Sequence, residues 1–530
     1  MKPCRFSLSL VLLLGLFAIR TQARILQQPQ FHRPEFILAG DSLSLCIMQD
    51  SPPTNLVIQL HNALADRVYS ADYIGPYFNR STIHQYRAGL DGTLPEGLYD
   101  IAIFQGTQLL DSGNHAVRIY HHFPDTFHIA HISDTHLPNH RNYPTPDYYD
   151  ENTLEEVRIL HQEFQWINPE LVIHTGDVID WYMDATQYEV AAQEFLNWKI
   201  PIIILPGNHD FYEILVSGIR NWKKHFSDLH DYTAHFNRKL LIGLAAYEQI
   251  PNTSSINFTE EQLEFVREVL EQNNTDQDRL FFFHYDFNNQ VKDRYASEWQ
   301  ADQILYGHTH SDADYWQNST LWLNISQTGS SNLKYRWLTY AGDSLISYPV
   351  IQGGHLSITP LPVTDPSIHA FELSNQTVCR FERARIETVF PADFQSFGCS
   401  RGQIVQRFPV AGDSTGVTVL VELKAQTTDT VYLYGSITGI QTGDRTIPTA
   451  LHIHPNPATD RLTIRSIQPL ALHTLQLYSL IGRKLVQLPI HSPSGMEYEW
   501  IVPPSLPSGI YLLRIETASG PITRKITILH

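Results

Sequence analysis

Five short stretches hold the residues of this chain whose types and spacing could do chemistry together. They are Asp134-Thr135-His136, Gly176-Asp177, Gly207-Asn208-His209-Asp210, His284, and Gly307-His308-Thr309-His310. Carboxylate, imidazole and amide-oxygen donors in one set suit borderline transition ions such as Zn, Mn or Fe. Each stretch alone also has an ordinary reading. An Asp-x-His pair arises by chance, and Gly and Asn are common turn residues. His284, behind Phe281-Phe282-Phe283, reads equally well as a core histidine. Gly307-His308-Thr309-His310 is stronger, because two imidazoles one residue apart share a face of an extended segment.

What joins the five is their position. Each follows an apolar run that reads as a strand: 127–132, 171–174, 202–205, 279–283 and 303–306. Between them run helical patterns. Leu154, Val157, Leu160, Phe164 and Ile167 recur at helical spacing and stop before Pro169, which predicts a helix over 153–167. Further helices are predicted over 185–198 and 259–272, the latter with Thr259 and Gln262 at capping-box spacing. Repeated strand-loop-helix order predicts an α/β layered domain. Ligands of such sheets bind beyond the carboxyl ends of the strands. Asp134, His136, Asp177, Asn208, His284, His308 and His310 can therefore converge. Seven donors are too many for one tetrahedral ion and suit two ions sharing a bridging carboxylate. Two divalent ions and two carboxylates leave about +2, or about +1 with a bridging hydroxide, which attracts a phosphate. Such a pair can clamp the attacking and leaving oxygens of an in-line displacement.

The order Asp-x-His, Gly-Asp, Gly-Asn-His-Asp, His, Gly-His-x-His resembles that of the calcineurin-like metallophosphoesterase superfamily, over about 127–327. The resemblance implies a β-sandwich core flanked by helices and two divalent transition-metal ions. It implies that Asp134, His136 and His310 hold one ion, that Asn208, His284 and His308 hold the other, and that Asp177 bridges them. His209 would stand beside the leaving group and Asp210 would orient it, as a carboxylate commonly fixes an imidazole. Two departures stand out. Asp180 occupies the place of the metal-binding Tyr of the purple acid phosphatase branch, and His284 is followed by Tyr285-Asp286 rather than His-Pro.

Around this centre the chain is multidomain. At 530 residues it is too long for one core. Lys2 and Arg5, an apolar run over 8–19 and Thr21-Gln22-Ala23 predict a signal peptide over 1–23, too short to span a bilayer. Strand-like runs and turns such as Asp91-Gly92 predict an immunoglobulin-like β-sandwich over 34–122, with a hairpin through Gln105-Gly106-Thr107. The metallophosphoesterase domain is expected over 126–352, a β-rich domain over 353–437 and a polar linker over 438–449. A small β-sandwich is expected over 450–530. Its His454-Pro455-Asn456-Pro457 start, its Leu506-Pro507-Ser508-Gly509-Ile510-Tyr511 strand and its basic-apolar end resemble the C-terminal sorting domain of type IX secretion substrates. That implies a Gram-negative cell, passage across periplasm and outer membrane, and a secreted or cell-surface protein. Of the three cysteines beyond 1–23, Cys379 and Cys399 are near enough in sequence to pair, with Cys46 left as a buried thiol.

The formal charge of −18 argues against nucleic acid, whose backbone calls for a basic footprint. The reading is thus an exported phosphoesterase that hydrolyses small phosphomono- or phosphodiesters by in-line attack of a metal-bridging hydroxide. An extracellular nuclease of the same superfamily and a non-catalytic surface or adhesion protein are the alternatives.

Overall fold

The computed structural model describes residues 24–78, 80–137, 153–211, 217–245, 258–273, 278–329, 332–363, 365–391, 393–410, 414–436, 451–454, 456, 458–470, 472–479, 484–489, 495–517 and 520–529. The predicted signal peptide, the 438–449 linker and both prolines of the Pro-Asn-Pro motif lie outside the described residues. The chain divides into two compact units, Met1–Gly439 and Ile440–His530.

The first unit begins with eight strands between Leu26–Gln28 and Gln108–Tyr120. Where a pair of sheets was expected, hydrogen bonding runs through all eight. The reason is the long strand Asp66–Tyr77, which pairs with Leu56–His61 over its first half and with Arg80–Gly89 over its second. Leu26–Gln28, upstream of the predicted start at 34, joins this sheet against Ser42–Met48. Gln105 pairs with Gln108 across the predicted hairpin.

Two six-stranded sheets carry the middle of the chain. One has the order Ile202–Ile204, Leu171–His174, Thr126–Ile132, Lys334–Ala341, Ser344–Ser347, with Val350–Gln352 also on Lys334–Ala341. The other runs Tyr232–Phe236, Lys239–Leu244, Asp278–Phe283, Gln303–Tyr306, Thr320–Asn324, Ala313–Gln317. In each, the strands that end in candidate ligands are parallel to one another. Such strands are covered on both faces and read as continuous apolar runs, and all four residues of Leu171–His174 are buried.

One cluster joins Phe127, Ile129, Leu171 and Ile203 of the first sheet to Leu241, Leu280, Phe282 and Leu305 of the second. The opposite faces take helices. Val157, Leu160 and Phe164 of Thr153–Ile167, with Tyr188 and Phe195 of Ala185–Leu196, pack with Ala130, Ile132 and Val172. Phe265 and Val269 of Glu260–Gln272, with Tyr295 and Trp299 of Asn289–Trp299, pack with Ile242, Phe281 and Ile304.

The helix Thr153–Ile167 covers the predicted residues, and Thr259 and Gln262 close a capping box at the head of Glu260–Gln272. The helix predicted to 198 ends at Leu196, where the Asn197 cap amide donates back to Glu194. Sequence periodicity missed the helices Ser217–His225 and Asn289–Trp299 and the strands Tyr232–Phe236 and Lys239–Leu244. Asn289–Trp299 is polar enough to hide its period, although the Asn288 side chain caps it by accepting from the Val291 amide.

Seven strands between Leu356–Leu361 and Thr427–Ser436 form a four-stranded and a three-stranded sheet. Phe381, Ile386, Val417 and Val419 of these strands join the apolar cluster of Thr153–Ile167. Among the described residues Cys46, Cys379 and Cys399 are all free, so the possible 379–399 pairing is not made. The second unit, taken by itself, holds a three-stranded and a four-stranded sheet around Leu462, Trp500, Leu513 and Ile526. No helix of the described residues is long and apolar enough to cross a membrane.

Glu163 ties the first helix to the strands after 353. Its Oε1 accepts from the Gly354 and Leu356 amides at 2.8 and 3.0 Å, while its buried Oε2 has no hydrogen-bond partner among the described residues. Burial pushes its carboxyl up to about 7, against the pull of those amides. A carboxyl whose pKa rises on folding contributes stability that is full below its ordinary range and is lost as pH rises through about 7. Glu163→Gln keeps the acceptor and removes the titration. Its melting temperature relative to the unsubstituted protein is expected to increase from pH 5 to pH 8, by an amount corresponding to about 3 kcal/mol. A flat difference across that range would refute the assignment.

Candidate metal centre

The strand ends bring loops from both sheets into contact. After Thr126–Ile132 and Leu171–His174 the parallel ladder continues as the chains turn. The Thr175 amide donates to Ile132 O at 3.1 Å, Asp134 to Gly176 O at 2.9 Å, His136 to Asp177 O at 3.1 Å and Leu137 to Val178 O at 2.8 Å. Holding this register bends the backbone. Asp134, His136 and Asp177 take φ of 52°, 46° and 53°, and His308 and His310 take 71° and 50°. Left-handed non-glycine residues cost of order 1–3 kcal/mol each and persist only where surroundings fix them.

Glycines make the close approach possible. A Cβ on Gly207 would lie 2.2 Å from Asp177 Oδ1 and 2.3 Å from its amide nitrogen. A Cβ on Gly176, itself at φ 124°, would lie 2.7 Å from the Gly207 nitrogen, and one on Gly307 would lie 2.5 Å from Asp134 Oδ2. Each Gly of the sequence motifs is thus a steric requirement of the next loop.

Asp134 and Asp177 are buried and divide their oxygens alike. Asp134 Oδ2 accepts from the His308 amide at 3.1 Å, and its Oδ1 stands 3.1 Å from His310 Nε2 and 3.9 Å from His136 Nε2. Asp177 Oδ1 accepts from the His209 amide at 2.8 Å, and its Oδ2 faces His284 Nε2 at 3.0 Å. His284 Nε2 is also 4.0 Å from Asp134 Oδ1 and 3.3 Å from His308 Nδ1. Three groups of donor atoms each lie within 4.8 Å: Asp134, His136 and His310; Asp177, His284 and His308; and His136, Asp177 and His209. Among the described residues the buried Oδ1 of Asn208 has no hydrogen-bond partner, nor has His284 Nδ1.

The two buried carboxylates draw positive charge to the site. Burial alone would raise Asp134 and Asp177, but facing imidazoles, His284 foremost, hold both below the ordinary carboxylate range. Burial would lower His284, yet Asp177 and Asp134 drive it up to about 9. His136 is pushed down to about 4 by burial and by His209, so its ring is neutral, as a metal ligand must be. This donor set, with a partnerless amide oxygen on the Gly207–Asp210 loop that packs against Asp177, fits divalent ions.

The loop 207–211 holds a correction. Asp210 does not orient His209 through its carboxylate. Its Oδ2 accepts from the Gly207 and Val178 amides at 2.7 and 3.1 Å, and its Oδ1 from Ile179 at 3.0 Å. It staples this loop to the Gly176-Asp177 loop. The atom bonded to the His209 ring is the backbone carbonyl of Asp180, 2.7 Å from Nδ1. A carbonyl only accepts, so Nδ1 carries the proton and Nε2 is left for chemistry.

Residues 127–312 match the family model of calcineurin-like phosphoesterases. Residues 452–529 match the secretion system C-terminal sorting domain. No curated protein matches the chain. Among solved structures, a purple acid phosphatase from yellow lupin (Lupinus luteus) seeds is 12% identical, covering 65% of this chain and 71% of its own, with a TM-score of 0.38. A putative 5'-nucleotidase from Staphylococcus aureus, in complex with alpha-ketoglutarate, is 16% identical over 42% of this chain and 54% of its own, at 0.31. A predicted phosphoesterase from Streptococcus pneumoniae is 14% identical over 47% and 88%, at 0.21.

Within the calcineurin-like domain the two departures have physical places. The Asp180 carboxylate is 4.0 Å from His136 Nδ1 while its carbonyl holds His209, so one residue touches both imidazoles. The Tyr285 ring stands edge-on to His308 with centroids 5.2 Å apart. Asp286 pairs at 2.5 Å with Lys292, which lies over the Tyr306, Tyr315 and Trp322 rings. Sequence reasoning gave Asp180, Tyr285 and Lys292 no such contacts, because their partners come from other strands.

Asp210→Asn tests the staple. An amide group cannot accept on both sides, so one backbone donor would lose its partner at a cost of about 2 kcal/mol. Urea unfolding of the metal-stripped protein should show that loss. A residue that only oriented His209 would leave this stability unchanged.

Proposed function

We propose that the chain is an exported dinuclear-metal phosphoesterase acting on small phosphomono- or phosphodiesters. The observation that carries this reading is the sharing of Asp177 between donor groups, one of which includes His209, the neighbour of Asn208. Asp134, His136 and His310 would hold one divalent ion; Asn208, His284 and His308 would hold the other; Asp177 would serve both. When bound, such ions supply Lewis acidity to a phosphoryl oxygen and acidify water for attack.

The chain's own groups supply position and protons. Carboxylates and imidazoles carried on the ends of buried strands would fix the phosphate's place. His209, its Nδ1–H held by the Asp180 carbonyl, presents Nε2. Burial lowers its pKa, but Asp177 and the Asp180 carbonyl outweigh burial and raise it, which favours the protonated ring. It is placed to give that proton to a departing alkoxide, a role worth about 10²–10⁴ in rate. The proposed catalytic domain is 126–352. The flanking β domains, 34–122 and 353–437, would frame it, and 450–530 would address the protein to type IX export.

The formal charge of −18 weighs against a nuclease, and so many converging donors weigh against an idle surface protein. The test uses bis- and mono-nitrophenyl phosphate after manganese or zinc reconstitution. Asp177→Asn should lose both metal and turnover. His209→Ala should keep its metal and lose about 10²-fold or more in kcat. Full hydrolysis in both variants, or a metal content near zero in the reconstituted parent, would sink the proposal. Faster cleavage of single-stranded DNA than of small diesters would turn it into a nuclease.

A further inference from the structure

The middle residue of Asp134-Thr135-His136 has no part in the reading above, and neither does His174, the last residue of its strand. Both are fully buried. Among the described residues their polar atoms form one chain of hydrogen bonds. The Gly176 amide lies 3.2 Å from His174 Nδ1 and donates to it. Nδ1 is then the acceptor, and the ring proton sits on Nε2, 2.9 Å from Thr135 Oγ1. The Thr135 hydroxyl donates in turn to the Val178 carbonyl at 3.0 Å. Burial pushes His174 down to about 3, so the ring is neutral, as this tautomer needs. The ring also stands edge-on to Phe195 with centroids 5.6 Å apart, which fixes it from beneath.

The two ends of this chain are the backbone atoms on either side of Asp177, the amide of Gly176 and the carbonyl of Val178. Its middle is the residue between two candidate ligands of one of the two ions that Asp177 would serve. We propose that Thr135 and His174 are positioning residues, a buried tie that sets the Asp134–His136 loop against the Asp177 loop and so fixes the ligands of one ion against the carboxylate that both ions would share. This inference rests on the proposed dinuclear site and adds to it the groups that hold its left-handed loops in place. Partners of this kind, behind the ligands, typically cost 10–100-fold in metal affinity when removed.

The experiment measures Mn²⁺ affinity of the metal-stripped full-length chain by competition with a chelator, alongside thermal melting. Thr135→Val and His174→Leu should each weaken Mn²⁺ binding about tenfold or more. The double variant should be about as weak as the worse single one, because both changes break the same chain. Thr135→Ser, which keeps the hydroxyl, should bind within about twofold of the parent, on the same outer-shell argument. Unchanged affinity in either folded single variant overturns the tie. Additive losses in the double variant also overturn it, since they would mean two independent packing defects. Should Thr135→Val not fold, His174→Leu and the serine variant decide. A parent that takes up no Mn²⁺ removes the metal centre itself and the tie with it, whereas normal uptake with unaffected variants removes the tie alone.

Discussion

The constraint on which the calcineurin-like domain depends is the burial of two carboxylates beside one imidazole. Asp134 and Asp177 both lie within 4.0 Å of His284 Nε2, and none of the three is more than 2% exposed. Such burial of negative charge costs several kcal/mol per group unless it is matched. The structure matches it with backbone amides on one oxygen of each carboxylate and imidazoles on the other. Those amides must come from neighbouring loops, so the loops must approach almost to contact. Glycine at 176, 207 and 307 and left-handed backbone at five donors follow from that approach.

The layers around the site make this distortion tolerable. Loops this strained need rigid ends, and the parallel strands that deliver them are buried on both faces between facing side chains and helices. Asp210 then fixes the third loop with three amides, and Tyr188 OH donates to the Asp210 carbonyl at 2.7 Å from the helix behind it. A carboxylate in a catalytic motif can therefore be structural, while the neighbouring histidine takes its tautomer from a main-chain carbonyl. The proton on His209 Nδ1 is placed by the Asp180 carbonyl rather than by a hydrogen bond to Asp210.

Much of this was legible along the chain. Donor type is a property of single residues, and an apolar run followed by a polar turn marks a strand end without reference to anything distant. The seven proposed ligands and the helix over 153–167 were therefore readable, as was the capping box at Thr259. Asn289–Trp299 and Lys239–Leu244 were not. The first is a polar helix whose period is faint, and the second is a short apolar run that becomes a central strand only by pairing with Asp278–Phe283.

The sequence by itself determined which groups are present and that they sit at strand ends, because local pattern encodes local structure. Only the tertiary structure decided which oxygen meets which amide. Asp210 turned from an orienter into a staple because its partners lie in another loop. Thr135, an unremarked residue between two proposed ligands, proved to face His174 through a register that only sheet pairing sets. Hydrogen bonds between segments distant in sequence leave no local periodicity, so their roles emerge only when the strands are side by side.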